Sequence, residues 1–212
     1  MITVKKGYAI SLVPVALILF LALAYYVVKN PINRFDTGVT LFMQSHSWDG
    51  FLRITNAVIA SWSFRIVYLL LALAFILARR YPLVVFVLIA GASEIATTII
   101  KVLIARPRPT AGTIVIYDPR KGFSFVSGHT LEYTLLFGFL GVLALYSAQN
   151  HPRRYVWAGL AFLMPLVVGL GRIYSGAHWL TDVIGSYLLG TAILILTVCL
   201  FRKAFEPKSR FK

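Results

Sequence analysis

Apolar residues run in long blocks along this chain, separated by short polar or basic interruptions. The first block, 8–28, is about as long as a helix needs to cross a bilayer. A second at 64–78 closes on Arg79 and Arg80, and a third fills 81–101. Three more lie at 128–147, 155–170 and 179–201. The pattern predicts an all-α polytopic membrane protein, a bundle of six transmembrane helices in one domain. Pro107 and Pro109 stop the third helix, Pro165 offers a kink in the fifth, and 202–212 forms a basic tail.

Two stretches depart from the simple block pattern. Lys5 and Lys6 before the first block, with Ala22-Leu23-Ala24 near its end, resemble a secretory leader. The block is long and continues through Tyr25, Tyr26, Val27 and Val28, so a retained first helix is the better reading. Between 31 and 62 the pattern is mixed. Leu41, Phe42, Phe51, Leu52, Ile54 and Val58 alternate with polar residues at loosely helical spacing, and Trp48 and Trp62 suit the headgroup level. One or two short amphipathic helices on the membrane surface are expected there. They either guide a lipid towards a site or serve as a structural linker. His46 and Asp49 receive no role.

Composition strengthens the membrane reading. The 212 residues are 59% hydrophobic and 13% charged, with a mean hydropathy of +0.80. A soluble domain carries about 25% charged residues. The net charge of +14 would suggest nucleic acid in a soluble protein. Here the basic residues sit between and beyond apolar blocks, where they act as topology signals and contacts to anionic headgroups. Cys199 is the only cysteine, which excludes an intramolecular disulfide. With six spans, both termini share a side with Arg79, Arg80, Arg153, Arg154 and the basic tail. Once Lys101, Arg108 and Arg172 are set aside as site residues, that side is cytoplasmic by the positive-inside rule. The opposite loops then face a periplasm or cell exterior.

Those opposite loops hold the polar chemistry. Alternating helices bring three clusters to one membrane face: Lys101 with Arg108-Pro109, then Ser127-Gly128-His129, then Arg172, His178 and Asp182. Lys101, Arg108 and Arg172 supply positive charge for a phosphoryl group. Ser127 and Gly128 precede a helix, so their N–H groups and the Ser127 hydroxyl suit phosphate oxygens. If a helix has begun by His178, Asp182 lies one turn further on the same face and accepts a hydrogen bond from one imidazole nitrogen. The other nitrogen is then bare, as a base or nucleophile. Two histidines, His129 and His178, supply a nucleophile and an acid, one on each side of the phosphorus. Glu94, two turns before Lys101, and Glu132, near His129, lie close by; a structural carboxylate is the simpler role for Glu94, and none is derived for Glu132. Singly, each residue also reads as an interface anchor or helix cap.

The three clusters resemble the signature motifs of the phosphatidic acid phosphatase type 2 family, which includes vanadium haloperoxidases and bacterial acid phosphatases. They read Lys-Val-Leu-Ile-Ala-Arg-Pro-Arg-Pro at 101–109, Val-Ser-Gly-His at 126–129, and Gly-Arg-Ile-Tyr-Ser-Gly-Ala-His-Trp-Leu-Thr-Asp at 171–182. Two positions depart from the usual motifs: Val126 stands where Pro is usual and Gly171 where Ser is usual. The resemblance implies a bacterial inner-membrane lipid phosphatase with no cofactor and no metal. His178 would be the nucleophile, Asp182 its orienting partner and His129 the acid and then base. Lys101, Arg108, Ser127, Gly128 and Arg172 would hold the phosphate. Membrane helices argue against a haloperoxidase. Undecaprenyl diphosphate is the expected substrate, because the site faces outward. Phosphatidylglycerol phosphate, phosphatidic acid and lipid A phosphates are alternatives, as are a lipid phosphotransferase and a non-catalytic lipid-phosphate transporter.

Overall fold

The computed structural model describes residues 6–60, 64–146 and 152–201. Among the described residues eight helices form: α1 Lys6–Lys29, α2 Arg34–Gln44, α3 Asp49–Ala60, α4 Phe64–Leu77, α5 Tyr81–Ile104, α6 Gly128–Leu145, α7 Arg153–Tyr174 and α8 Leu180–Leu200. Among the described residues there is no strand, only a single bridge between Ala111 and Ile114.

Five helices, α1, α5, α6, α7 and α8, are long and apolar enough to cross a membrane. The expected sixth span is shorter. α4 has 14 residues, and at about 1.5 Å per residue it covers roughly 21 Å of a hydrocarbon core near 30 Å thick. It ends where Arg79 turns to φ 53 and the Arg80 N–H closes back on the Phe75 carbonyl.

α6 is central. It packs on α5, α7 and α8, while α1 lies on α8 and α4 on α5. Phe86 of α5 stacks on Phe139 of α6 with centroids 4.0 Å apart, among buried Leu83, Leu131 and Leu135. A second cluster joins Phe20 and Val27 of α1 to Phe125 and Val126, just before α6. Large apolar side chains on the outside, such as Leu69, Leu88 and Leu103, are exposed as a lipid-facing surface requires.

The segment predicted to lie on the membrane surface folds as α2 and α3, and α2 is polar on the inside. Asp36 and Thr40 are buried, while Phe35, Leu41 and Phe42 are exposed. Such a helix turns its polar face to the protein and its apolar face to lipid. Asn33 caps it, its side-chain oxygen accepting from the Asp36 N–H at 2.9 Å. Gln44, its last residue, donates to the carbonyls of Val115 and Tyr174, both at 2.8 Å, and accepts from the Val115 N–H. The loop between α5 and α6 is thereby clasped to the end of α7, with Tyr117 stacked on Tyr174 at 5.6 Å.

Three helix boundaries shape the polar face. α5 runs past 101 to Ile104 and stops where Ala105 adopts a left-handed φ of 49, ahead of Pro107. α7 runs past 170 to Tyr174, which puts Arg172 in its last turn rather than in a loop. α8 begins at Leu180, close to the expected 179, so His178 stands just before the helix. Between α7 and α8, Gly176 has φ +68 and packs so closely that a Cβ would meet the Val115 carbonyl oxygen at 2.5 Å. The proposed leader residues before 6, Trp62, residue 147, His151 and the tail at 202–212 lie outside the described residues.

Candidate active site

A cavity of about 370 Å³ opens where α5, the start of α6, the end of α7 and the α7–α8 turn meet. Lys101, Arg108, Gly128, His129, Arg172 and His178 all line it. Arg120 and Lys121 of the α5–α6 loop join them, and Glu94, Thr97, Thr98 and Glu132 line it as well. Glu94, Thr97, Thr98 and Lys101 recur at helical spacing on one face of α5, which explains their common wall. Ser127 is different. It is fully buried, its hydroxyl accepts from Thr130 Oγ1 at 2.9 Å, and it is not among the lining residues.

His178 is buried, and its two ring nitrogens have different neighbours. Nε2 lies 3.2 Å from Nη1 of Arg108, and Nδ1 lies 3.4 Å from Oδ2 of Asp182. A guanidinium can only donate, so Nε2 carries the lone pair and Nδ1 carries the proton, directed at the carboxylate. Burial pushes the His178 pKa down to about 3, against the upward pull of Asp182. The ring is therefore neutral near pH 7, as a nitrogen nucleophile must be.

Asp182 sits at the third position of α8, not one helical turn beyond a helical His178. Its Oδ2 accepts from the Trp179 N–H at 2.9 Å and from the Ser124 hydroxyl in a short bond. Its Oδ1 accepts from Arg106 Nη1 at 2.5 Å. Arg106 is buried and bonded along its whole edge: Nη1 also reaches Thr181 Oγ1 at 2.6 Å, Nη2 reaches Asp36 Oδ2 at 2.6 Å, and Nε reaches the Pro31 carbonyl at 2.9 Å.

The cations that face the cavity are less satisfied. Arg108 donates to the carbonyls of Ala177, Lys121 and Gly122 and, among the described residues, pairs with no carboxylate. Burial lowers its pKa, and the neighbouring Arg172 charge adds to that, a strain that an anion in the cavity would relieve. Arg172 donates from Nη1 to Asp118 at 2.7 Å, but among the described residues its buried Nε has no partner. Burial works to raise the Asp118 pKa, and bonds from Arg120 and Arg172 outweigh it and hold the carboxyl below its ordinary range. Five positive side chains, Lys101, Arg108, Arg120, Lys121 and Arg172, line the cavity, a setting that favours an anion. Among the described residues no group of three or more His, Cys, Asp or Glu is gathered to hold a metal ion.

Residues 82–206, most of the chain and all three motif stretches, match the PAP2 superfamily. The chain belongs to the PAP2 superfamily. A relative, phosphatidylglycerophosphatase B of Bacillus subtilis (strain 168), is 26% identical over 209 residues, covering 94% of this chain and 98% of that protein. The crystal structure described as the first transmembrane PAP2-type phosphatidylglycerolphosphate phosphatase, from Bacillus subtilis, shares the fold with a TM-score of 0.75 at 20% identity. That likeness covers 94% of this chain and 98% of the other. This is a PAP2-type membrane lipid phosphatase, a phosphoric monoester hydrolase acting on lipid phosphates.

The two departures from the usual PAP2 motifs have structural explanations. A Cβ at Gly171 would lie 2.6 Å from Cβ of Thr55 and 2.8 Å from its Oγ1. A serine there would push against α3 rather than add a hydroxyl at the cavity, which Gly171 does not line. Val126 is fully buried in the cluster with Phe20 and Val27, so it acts as a core residue. Six residues at the site receive no role from sequence: Arg120 and Lys121, which line the cavity, and Asp36, Arg106, Asp118 and Ser124, which lie in the bonded network around it. The doubled Arg-Pro at 106–109 was a signal for Arg106, and the scarcity of acids was one for Asp36 and Asp118. Ser124 carried none.

Proposed function

We propose that the protein removes the terminal phosphate from phosphatidylglycerophosphate through a phosphohistidine on His178. The observation that carries this reading is the orientation of His178: its Nδ1 faces Asp182, and its unprotonated Nε2, which accepts from Arg108 until a phosphate takes that donor, faces a cavity ringed by Lys101, Arg108 and Arg172. Nε2 attacks phosphorus, the N–P bond forms, and the P–O bond to the lipid headgroup breaks. His129 gives its proton to the departing oxygen. Asp182 stabilises the positive ring that results. His129 then takes a proton from water, the water oxygen bonds to phosphorus, and the N–P bond breaks to return neutral His178. Lys101, Arg108, Arg172 and the Gly128 N–H hold the phosphate oxygens. Ser127 joins them only if its hydroxyl leaves Thr130. No step calls for a metal.

The name of the Bacillus subtilis relative supports phosphatidylglycerophosphate over the undecaprenyl diphosphate expected from sequence. The further lining by Glu94, Thr97, Thr98 and Glu132 supports it too, since their oxygens suit the hydroxyl of a glycerol headgroup. Counting the shorter α4 as a sixth crossing, we place the protein in a bacterial plasma membrane, termini in the cytoplasm and cavity outward, on the loop-charge argument. The test is phosphate release by detergent-purified protein in EDTA, with phosphatidylglycerophosphate, undecaprenyl diphosphate, phosphatidic acid and a lipid A phosphate side by side. Preferred turnover of the first, lost in His178→Ala, is the expected result. Preference for the diphosphate would return the substrate to the expectation from sequence. Phosphate appearing on an added lipid instead of in water would make the protein a phosphotransferase. No turnover of any of them by folded protein would favour a lipid-phosphate transporter.

A further inference from the structure

The Asp182 carboxylate is held by a structure that begins far away in the chain. Asp36, in the first turn of α2, and Asp182, in the first turn of α8, are both fully buried, and the Arg106 guanidinium lies between them. Its Nη2 meets Asp36 Oδ2 at 2.6 Å and its Nη1 meets Asp182 Oδ1 at 2.5 Å. Thr181 ties the same knot twice: its N–H donates to Asp36 Oδ1 at 2.9 Å, and its hydroxyl donates to Asp36 Oδ2 at 2.7 Å while accepting from Arg106 Nη1. Asn33 Nδ2 adds a bond to Asp36 Oδ2 at 2.6 Å. Trp179, beside His178, lies against the Arg106 guanidinium at 5.9 Å and donates to the Pro107 carbonyl at 3.1 Å.

One positive charge is thus shared between two buried carboxylates, and one of those faces the nucleophile. Sharing matters for chemistry. If Arg106 paired with Asp182 alone, the Asp182 charge would be largely spent on the guanidinium and little would remain for the ring that turns positive when Nε2 bonds to phosphorus. Asp36 draws half of the guanidinium away and leaves Asp182 free to stabilise that ring. The same bonds fix the direction of Oδ1, and with it the aim of Oδ2 at His178 Nδ1. None of these atoms lines the cavity, so the phosphate does not touch them.

We infer that Arg106 and Asp36 are positioning residues for the reaction, setting both the aim and the available charge of Asp182 from behind the nucleophile. The inference rests on the proposed attack by His178. It predicts a separation between turnover and phosphate binding, which simple loss of structure would not give. In purified full-length protein, Asp36→Asn and Arg106→Lys should each lower kcat by at least about 10-fold. KM and the inhibition constant of inorganic phosphate should stay within about 3-fold, with phosphate still binding near one per chain. Thr181→Val, a milder change that removes only the bridging hydroxyl, should lower kcat by about 3- to 10-fold with the same unchanged phosphate binding, and it decides the matter if the other two fail to fold. Unchanged kcat in the variants that fold would overturn the inference. So would a loss of kcat matched by an equal loss of phosphate sites, since the residues would then only hold the fold together. The separate His178→Ala control distinguishes this failure from that of the underlying mechanism: a His178→Ala protein that still turns over sinks the proposed attack, and the inference with it, whatever the other variants do.

Discussion

Arg106 and Arg108 stand two residues apart, each followed by a proline, and they do opposite things. Arg106 is buried between two carboxylates and has no donor edge left for a ligand. Arg108 faces the cavity, bonded to backbone carbonyls and to a neutral imidazole, with Arg172 as a nearby like charge. The first belongs to a closed cluster behind the nucleophile, in which one positive charge is shared by two carboxylates. The second belongs to an open side where positive charge waits for an anion. His178 is the side chain that touches both, Nδ1 towards the closed side and Nε2 towards the open one. The residue type and its proline neighbour do not decide which role an arginine takes; the position of the nearest carboxylate does.

The largest expected effect is at the junction. His178→Ala should cut turnover by about 10³-fold or more, while inorganic phosphate still binds the open side within a few-fold. Near-normal turnover in this variant would dissolve the distinction between the two sides. The two arginines should then separate cleanly when each becomes alanine. Removing Arg106 leaves two buried carboxylates uncompensated and should destabilise the protein by about 3–5 kcal/mol in a denaturant melt. Removing Arg108 should leave the melt within about 1 kcal/mol but weaken phosphate binding about 10- to 100-fold, the equivalent of one or two hydrogen bonds to a charged group. Similar melts for the two variants would break the comparison.

Smaller effects sharpen it. The folded His178 pKa of about 3 lies below its ordinary value of 6.5, so between those values the unfolded chain binds a proton that the folded chain does not. Its contribution to stability is complete above pH 6.5 and is lost progressively as pH falls towards 3. The melting midpoint in detergent should fall across that window, with a shallower slope in His178→Gln. Gly171→Ser restores the usual motif letter, yet should cost about 1–3 kcal/mol through its contact with Thr55 and leave kcat no higher. A gain in turnover would show that the open side can accept another donor. Asp118→Asn frees Arg172 from a partly exposed partner and should tighten inhibition by inorganic phosphate, by up to about 5-fold. Weaker inhibition would place Asp118 with the residues that hold structure.

Much of the open side was legible in the sequence because its residues belong to three short stretches with fixed spacing. Lys101, Arg108, Gly128, His129, Arg172 and His178 line one cavity, as alternating helices require. Ser127 was legible as a helix start but not in the direction of its hydroxyl, which depends on the rotamer that meets Thr130. The closed side was not legible, because it joins residues about 70 and 145 positions apart through single bonds that leave no periodic trace. One signal was available. The chain has seven Asp and Glu residues, and five of them, Asp36, Glu94, Asp118, Glu132 and Asp182, line the cavity or bond to its arginines and their neighbours. In the fold, apolar blocks predicted the five long helices, and they placed α4 to within one residue at its end, as a helix of 14 residues. The exposed apolar face of α2 follows the amphipathic reading, but the burial of Asp36 and Thr40 against the protein did not show in the spacing.

The bond between Arg106 and Asp36 also sets the size of the piece that can be moved between proteins. Every motif letter lies between 101 and 182, and a chimera built by exchanging only that stretch would preserve all of them. It would also part Arg106 from the helix that completes it, because Pro31 and Asp36 lie on the other side of the cut. A transplant that retains function has to carry α2 along with the motifs, or find a host whose own first turn offers a carboxylate at the same place.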